Sequence, residues 1–279
     1  MTDNSVSDKM LLVKRFTKTF YKTNNKGGDV NMRNVVIPLN ALDRNEVREK
    51  GQRFFIQKMY GTGVSGVEIR RELLTVHDHP LGHLKTIADE MGMFLVYSSP
   101  SPLWVANGRL NEELRLVIQE AKELGAVMLK VPLGCYDPLL CEMDDLKTLL
   151  EEIKEQLQLF IENDQTPNGG TISSLYRFFN DIHEYQLPVY MTFDIGNWKY
   201  CGESAAVALS HFHPFIRYVH LKHVEKYDGG LKTVPLTEEN SKEWKAILRA
   251  FSTDLPIALE FPINDVEFIP YYIRLLQAP

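Results

Sequence analysis

Four polar side chains close apolar, β-rich runs in the second half of the chain. They are Glu162 in Leu-Phe-Ile-Glu-Asn-Asp, Asp194 in Met-Thr-Phe-Asp-Ile-Gly-Asn, His220 in Tyr-Val-His-Leu-Lys and Glu260 in Ala-Leu-Glu-Phe-Pro. Each alone has an ordinary reading: an aspartate after a strand is most often a turn or cap residue, and a single histidine a satisfied core residue. Taken together, three carboxylates and an imidazole that meet at one point repel one another unless a cation lies between them. Two glutamates, an aspartate and a neutral imidazole form a hard-to-borderline oxygen and nitrogen donor set. Such a set suits Mn, Mg, Co or Zn and not a soft copper site. One divalent metal is therefore the expected cofactor, and the donor types leave its identity open.

Residues this far apart in sequence meet only if something makes their strands converge. From about Arg33 onward, short apolar runs alternate with longer amphipathic ones. The expected strands are 34–38, 66–70, 94–98, 127–131, 159–162, 189–194, 218–221 and 257–261, each short and rich in Val, Ile, Leu, Phe or Tyr, as buried parallel strands are. Between them, Leu114, Val117, Ile118, Ala121 and Leu124 mark one face of a helix over 111–125, with Gly125 as its stop. Leu146, Leu149, Leu150, Ile153 and Leu157 do the same over 143–157, where Asp144 and Asp145 suit a helix start. Similar stripes lie at 172–185 and 239–251.

Eight such units at about 31 residues each match a closed (β/α)8 TIM barrel of about 250 residues. The C-terminal ends of all its strands share one mouth. An open doubly wound sheet is the structural rival, but no glycine-rich dinucleotide turn follows the first strand. No Pro- or Ser-rich linker divides the chain, so 33–279 reads as one barrel. Residues 1–32 do not fit the repeat. With Lys9, Lys14, Arg15, Lys18, Lys22 and Lys26 they form a basic N-terminal extension, expected to be mobile or loosely packed, with an added strand or an oligomer contact as the alternative.

Alternation along a strand places further charges near the mouth. Glu68 and Arg70 share a face of the second strand, with Glu72 beyond them; Lys130 lies on the fourth strand, and Lys222 follows His220 on the seventh. Arg70, Lys130 and Lys222 could meet a carboxylate, phosphate or enediolate oxygen of a substrate, or serve as structural ion pairs. Glu68 is expected either at the substrate or as partner to one of these cations. Asn163 and Gln165 could brace the ligands. Trp104 and Trp198 could wall off the pocket or pack against the barrel. His77 and His79 read as solvent-facing, and His211 and His213 precede the seventh strand at the opposite end of the barrel.

Composition narrows the function classes. A net charge of −6 on 279 residues, with no clustered Lys and Arg face, argues against a nucleic-acid partner. No apolar run nears the roughly 18 residues that a membrane span needs. Three cysteines without a close pair fit reduced thiols in a cytoplasmic protein, and no signal peptide is read at the start.

The motifs Gly66-Val67-Glu68-Ile69-Arg70, Ile161-Glu162-Asn163, Phe193-Asp194-Ile195-Gly196-Asn197 and Val219-His220-Leu221-Lys222, with the late Leu259-Glu260, give the chain a resemblance. In this order they resemble the xylose-isomerase-like TIM barrel superfamily of sugar phosphate isomerases and epimerases, which also contains AP endonuclease family 2-like enzymes of the endonuclease IV type. The resemblance runs from about Arg33 to the C-terminus. It implies that Glu162 and Glu260 hold the metal and also move protons, and that Asp194 and His220 are the remaining ligands. Many epimerases of the superfamily carry a substrate-binding histidine where this chain has Asn197. An amide cannot titrate near neutral pH, so Asn197 is expected to orient substrate.

The expected activity is that of a metal-dependent isomerase or epimerase of a small sugar, sugar phosphate or keto sugar acid, by proton abstraction next to a carbonyl. A dehydratase or lyase on the same site is the alternative. An endonuclease-type phosphodiesterase fits less well, because it needs more histidines than this chain offers. A non-catalytic sugar-binding barrel would not need the full ligand set. The expected partner is a small carbohydrate, and self-association is left open.

Overall fold

The computed structural model describes residues 33–277, so the expected N-terminal extension lies outside the described residues. Eight parallel strands close a barrel: β1 (Val35–Pro38), β2 (Gly66–Arg70), β3 (Phe94–Ser98), β4 (Met128–Pro132), β5 (Gln158–Glu162), β6 (Val189–Asp194), β7 (Ile216–Leu221) and β10 (Ile257–Leu259). Helices lie between consecutive strands, and β10 pairs with β1 to complete the ring. The expected (β/α)8 TIM barrel is thus the observed fold.

Why these strands place a site at one end follows from alternation. Side chains such as Ile37, Ile69, Leu129, Ile161, Phe193 and Leu221 belong to the large core shared with the helices. The residues between them point into the barrel, where Val36, Val96, Met128, Phe160, Tyr218 and Ala258 form a separate apolar plug. Burying a Val, Met or Phe side chain contributes about 1.5–3 kcal/mol, so the plug is a stabilising floor. Two residues further along the same faces the character changes. Met128 is followed by Lys130, Phe160 by Glu162, Tyr218 by His220 and Ala258 by Glu260.

One irregularity matters to this arrangement. In the pairing of β6 with β7, Met191 lies opposite Ile216 but Thr192 lies opposite Tyr218, so Arg217 is skipped. After this bulge Asp194 lies opposite His220.

Strand boundaries differ from the expected ones by a residue or two. The eighth barrel strand ends at Leu259, yet the Glu260 N–H still donates to Leu221 O at 3.0 Å, which extends the ladder by one bond. Two elements were not expected. A helix, Ile195–Tyr200, starts directly at Asp194. A hairpin of β8 (His223–Tyr227) and β9 (Gly230–Val234) follows β7. Its two-residue turn, Asp228-Gly229, has positive φ at both positions, the backbone that Asp-Gly favours in hairpins. Gly125 ends its helix in the left-handed conformation at φ 59°, as expected. No helix among the described residues is long and apolar enough to cross a membrane.

Candidate metal centre

Glu162, Asp194, His220 and Glu260 each bring one donor atom to a common place, all four within 4.8 Å of one another. They come from β5, β6, β7 and the residue after β10, four adjacent strands of the ring. His220 Nδ1 lies 3.1 Å from Glu162 Oε1, 3.1 Å from Glu260 Oε2 and 3.9 Å from Asp194 Oδ2. The Asp194 and His220 side chains are wholly buried, whereas those of Glu162 and Glu260 keep 16% and 11% exposure. The two glutamates therefore face the mouth.

Each ligand candidate is held from behind. Asp194 Oδ1 caps the helix Ile195–Tyr200, accepting from Gly196 N–H and Asn197 N–H at 2.9 Å each. Its backbone is clamped by Asn163, which accepts from Asp194 N–H at 2.8 Å and donates to Asp194 O at 2.9 Å. A side chain at Gly196 would lie 2.5 Å from Lys222 Cγ, so this helix start admits only glycine beside the lysine stem. Lys130 donates to Glu162 Oε1 at 2.8 Å. Glu260 accepts from Lys222 at 2.8 Å and from Asn40 Nδ2 at 3.0 Å. On the far side of the imidazole, His220 Nε2 lies 2.9 Å from Glu68 Oε2.

Ion pairs join five carboxylates, Glu68, Glu72, Glu162, Asp194 and Glu260, to three fixed cations, Arg70, Lys130 and Lys222. That leaves a deficit of two positive charges in a largely buried cluster. Burial raises the Asp194 carboxyl, Lys222 opposes that and Glu260 adds to it, leaving the group raised to about 7. Burial and Lys130 disfavour a charged His220, but Glu68, Glu260 and Glu162 outweigh them and hold the imidazole well above its ordinary value. Burial also works against charge on Glu260, yet Lys222 and His220 keep it well below the usual carboxylate range. Protons are thus retained where positive charge is short.

These features fit a divalent ion. The donors are three carboxylates and one imidazole, and two missing positive charges equal the charge of one such ion. Asp194 Oδ2 is buried and has Lys222 Nζ, 2.6 Å away, as its ion-pair partner. A second lone pair on this oxygen is left for an ion.

The remaining residues expected at the site divide into two groups. Arg70 and Lys222 reach the edge of the cluster, with 14% and 8% side-chain exposure. Glu68 and Lys130 do not: they are sealed at 0% and 1%. Glu68 takes donors from Arg70 and Lys130 on one oxygen and from Tyr218 on the other, where His220 also lies, leaving no lone pair for a substrate. Of the two expected readings at these positions, substrate contact or structural ion pair, the side chains form the ion pairs. The Asn197 amide is engaged at both ends, donating to Asn163 O at 2.8 Å and accepting from Gln165 at 2.9 Å. Only one N–H and one lone pair remain for orienting a substrate. Gln165 braces Asn197 and not a ligand directly.

Trp104 and Trp198 are fully buried and pack into the barrel wall; Trp198 stacks on Phe212 at 5.8 Å. Neither lines the mouth. His77, His79, His211 and His213 are exposed. Asp78, between the first two, accepts from Gln52 N–H and Thr75 N–H in a structural cap. Asn40 and Tyr218 were not expected at the site. Alternation could have found Tyr218, two residues before His220 on the same face, and Asn40, two residues past the end of β1.

No protein-family model and no curated protein matches the sequence. Solved structures do match. A xylose isomerase domain-containing protein from Salmonella typhimurium superposes with a TM-score of 0.69 at 16% identity, covering 90% of this chain and all of that one. The fold is that of the xylose-isomerase-like TIM barrels. The probable 3-DHS dehydratase AsbF of Bacillus anthracis gives 0.64 at 12% identity over 88% of this chain and 98% of its own. A structure of L-ribulose 3-epimerase gives 0.60 at 15% identity over 89% of this chain and 88% of its own.

Proposed function

We propose that this xylose-isomerase-like barrel is a divalent-metal-dependent isomerase or epimerase of a small sugar, sugar phosphate or keto sugar acid. The observation that carries this reading is the pair Glu162 and Glu260. They flank His220 Nδ1 at 3.1 Å each and are the two members of the ligand cluster that open to the mouth. An ion held by Glu162, Asp194, His220 and Glu260 would supply Lewis-acid polarisation of adjacent carbonyl and hydroxyl oxygens.

One glutamate removes the proton from the carbon next to the carbonyl, and the other returns a proton to the neighbouring position or the opposite face. Lys130 and Lys222, each 2.8 Å from its glutamate, fix the direction of Glu162 and Glu260 and favour the ionised form of the one that takes the proton, while the one that returns a proton enters the step protonated. Lys222 and Arg70 are the cations with exposure toward the mouth, where oxygen charge grows as the proton leaves. The buried plug beneath the cluster closes the barrel to water from below.

The structural likeness to an enzyme named as an epimerase supports this reading. Likeness to one named as a dehydratase supports a second, in which the same proton abstraction is followed by expulsion of a β-hydroxyl. Metal analysis coupled to a deuterium-exchange screen over keto sugars and sugar acids separates them. Solvent deuterium in a product of unchanged composition indicates isomerisation, and loss of water indicates the lyase. Absence of bound metal together with no exchange in the presence of Mn, Mg, Co or Zn would overturn both.

A further inference from the structure

Glu68 has no place in the proton transfer described above, yet it is the most completely engaged carboxylate in the barrel. Its side chain is wholly buried. One oxygen faces Arg70 Nη1 at 2.9 Å and Lys130 Nζ at 3.1 Å. The other accepts from the Tyr218 hydroxyl at 2.9 Å and lies 2.9 Å from His220 Nε2. Four neighbours from three strands leave it no freedom to turn. An ionised carboxylate only accepts hydrogen bonds, so the nitrogen facing it must carry the proton.

We infer that Glu68 is a positioning residue that sets the tautomer of His220. By taking the Nε2–H, it turns the Nδ1 lone pair toward Glu162, Asp194 and Glu260 and so prepares His220 to bind the ion. A histidine ligand whose second nitrogen donates to a carboxylate is fixed in orientation and made more basic. Here that carboxylate is itself fixed by two cations and a phenol, so when an ion takes the place of the Nδ1 proton between Glu162 and Glu260, the Nε2–H is the one retained. The inference rests on the metal-centre reading.

The substitution Glu68→Gln tests it because it changes the direction of one hydrogen bond at nearly constant shape. Arg70 and Lys130 are donors and will draw the amide oxygen to their side. The NH₂ group then faces His220 Nε2, which must accept, and the proton moves to Nδ1. The experiment uses the full-length protein with the imidazoles labelled with ¹⁵N and with Zn²⁺, a diamagnetic ion, as the probe. Zn²⁺ affinity is measured by chelator competition, and tautomers by long-range ¹H–¹⁵N correlation.

In the parent protein with Zn²⁺, His220 should show a protonated Nε2 and a metal-bound Nδ1. Glu68→Gln should weaken Zn²⁺ binding by about 10–100-fold, the range for loss of such outer partners. Without metal, its neutral His220 should shift toward the Nδ1–H form. A residue that only braced the fold would lower the melting temperature and leave the affinity of the folded protein and the tautomer unchanged. That result, or Zn²⁺ on Nε2 in the parent protein, overturns the inference while leaving the metal centre standing. No Zn²⁺ binding by the parent overturns both. If Glu68→Gln does not fold, the parent spectrum alone still decides which nitrogen holds the ion.

Discussion

On the wall formed by β2 and β4, Glu68 and Lys130 are sealed from solvent and every oxygen lone pair of Glu68 is matched by a donor. On the wall formed by β5, β6, β7 and β10, Glu162 and Glu260 keep some exposure, and Asp194 Oδ2 has Lys222 as its one close cation. The residue types are the same: carboxylates beside lysines. What differs is completeness. A fully paired buried charge stabilises a shape, whereas an incompletely paired one has capacity left for a ligand. Paired groups on the first wall hold the second wall in place.

The largest effects should come from the open wall. Glu162→Gln and Glu260→Gln each keep size and a coordinating oxygen but cannot take a proton, so kcat should fall by about 10²–10⁴-fold at matched metal occupancy. Near-normal turnover in both, measured with solvent-deuterium incorporation, would remove the proton-transfer role from that wall. Next comes the closed wall. Lys130→Met leaves Glu68 and Glu162 short of a buried partner, and urea unfolding should show a loss of about 3–5 kcal/mol. Smaller still is the contribution of the ion. Metal at 100 times its Kd should stabilise the protein by about 2.7 kcal/mol, and this increment should vanish in His220→Ala while the barrel stays folded by circular dichroism.

Asn197→Ala sharpens the comparison at its margin. Loss of its bonds to Asn163 and Gln165 should cost about 1–3 kcal/mol of stability. An increase in KM larger than the fall in kcat would show that its remaining N–H and lone pair also orient substrate. At the far end of the scale, Tyr227→Ser on the exposed hairpin should stay within about 0.5 kcal/mol of the parent in the same urea assay.

Much of the barrel was legible because parallel strands are short apolar runs and their helices carry stripes at three- and four-residue spacing. The ligand cluster was legible for a related reason. Glu162, Asp194, His220 and Glu260 each interrupt such a run at its C-terminal end, where an apolar strand gains nothing from charge. Other features were hidden by competing signals. Glu68 and Lys130 lie on strands in the same way as the mouth residues, and alternation gives the face but not the depth. Depth depends on how far each strand is staggered against its neighbours. Asn197 looked available because an amide carries no charge to pair, yet its two partners come from the β5 loop some thirty positions earlier. The hairpin left a signal that went unread: Asp228-Gly229 between runs that pair in register across the turn.

The skipped residue in β7 works much like a reading frame. Ile216 joins the outer core, while Tyr218 belongs to the inner plug, so the side-chain parity of this strand changes across Arg217. Every residue downstream takes its direction from that single insertion: His220 and Lys222 point into the barrel, and Val219 and Leu221 point out. Pairing Arg217 into the regular pleat, with no residue skipped, would act as a frameshift in space. The composition of the strand would not change, but its imidazole and lysine would turn toward the helices and two aliphatic side chains would point into the charged tier.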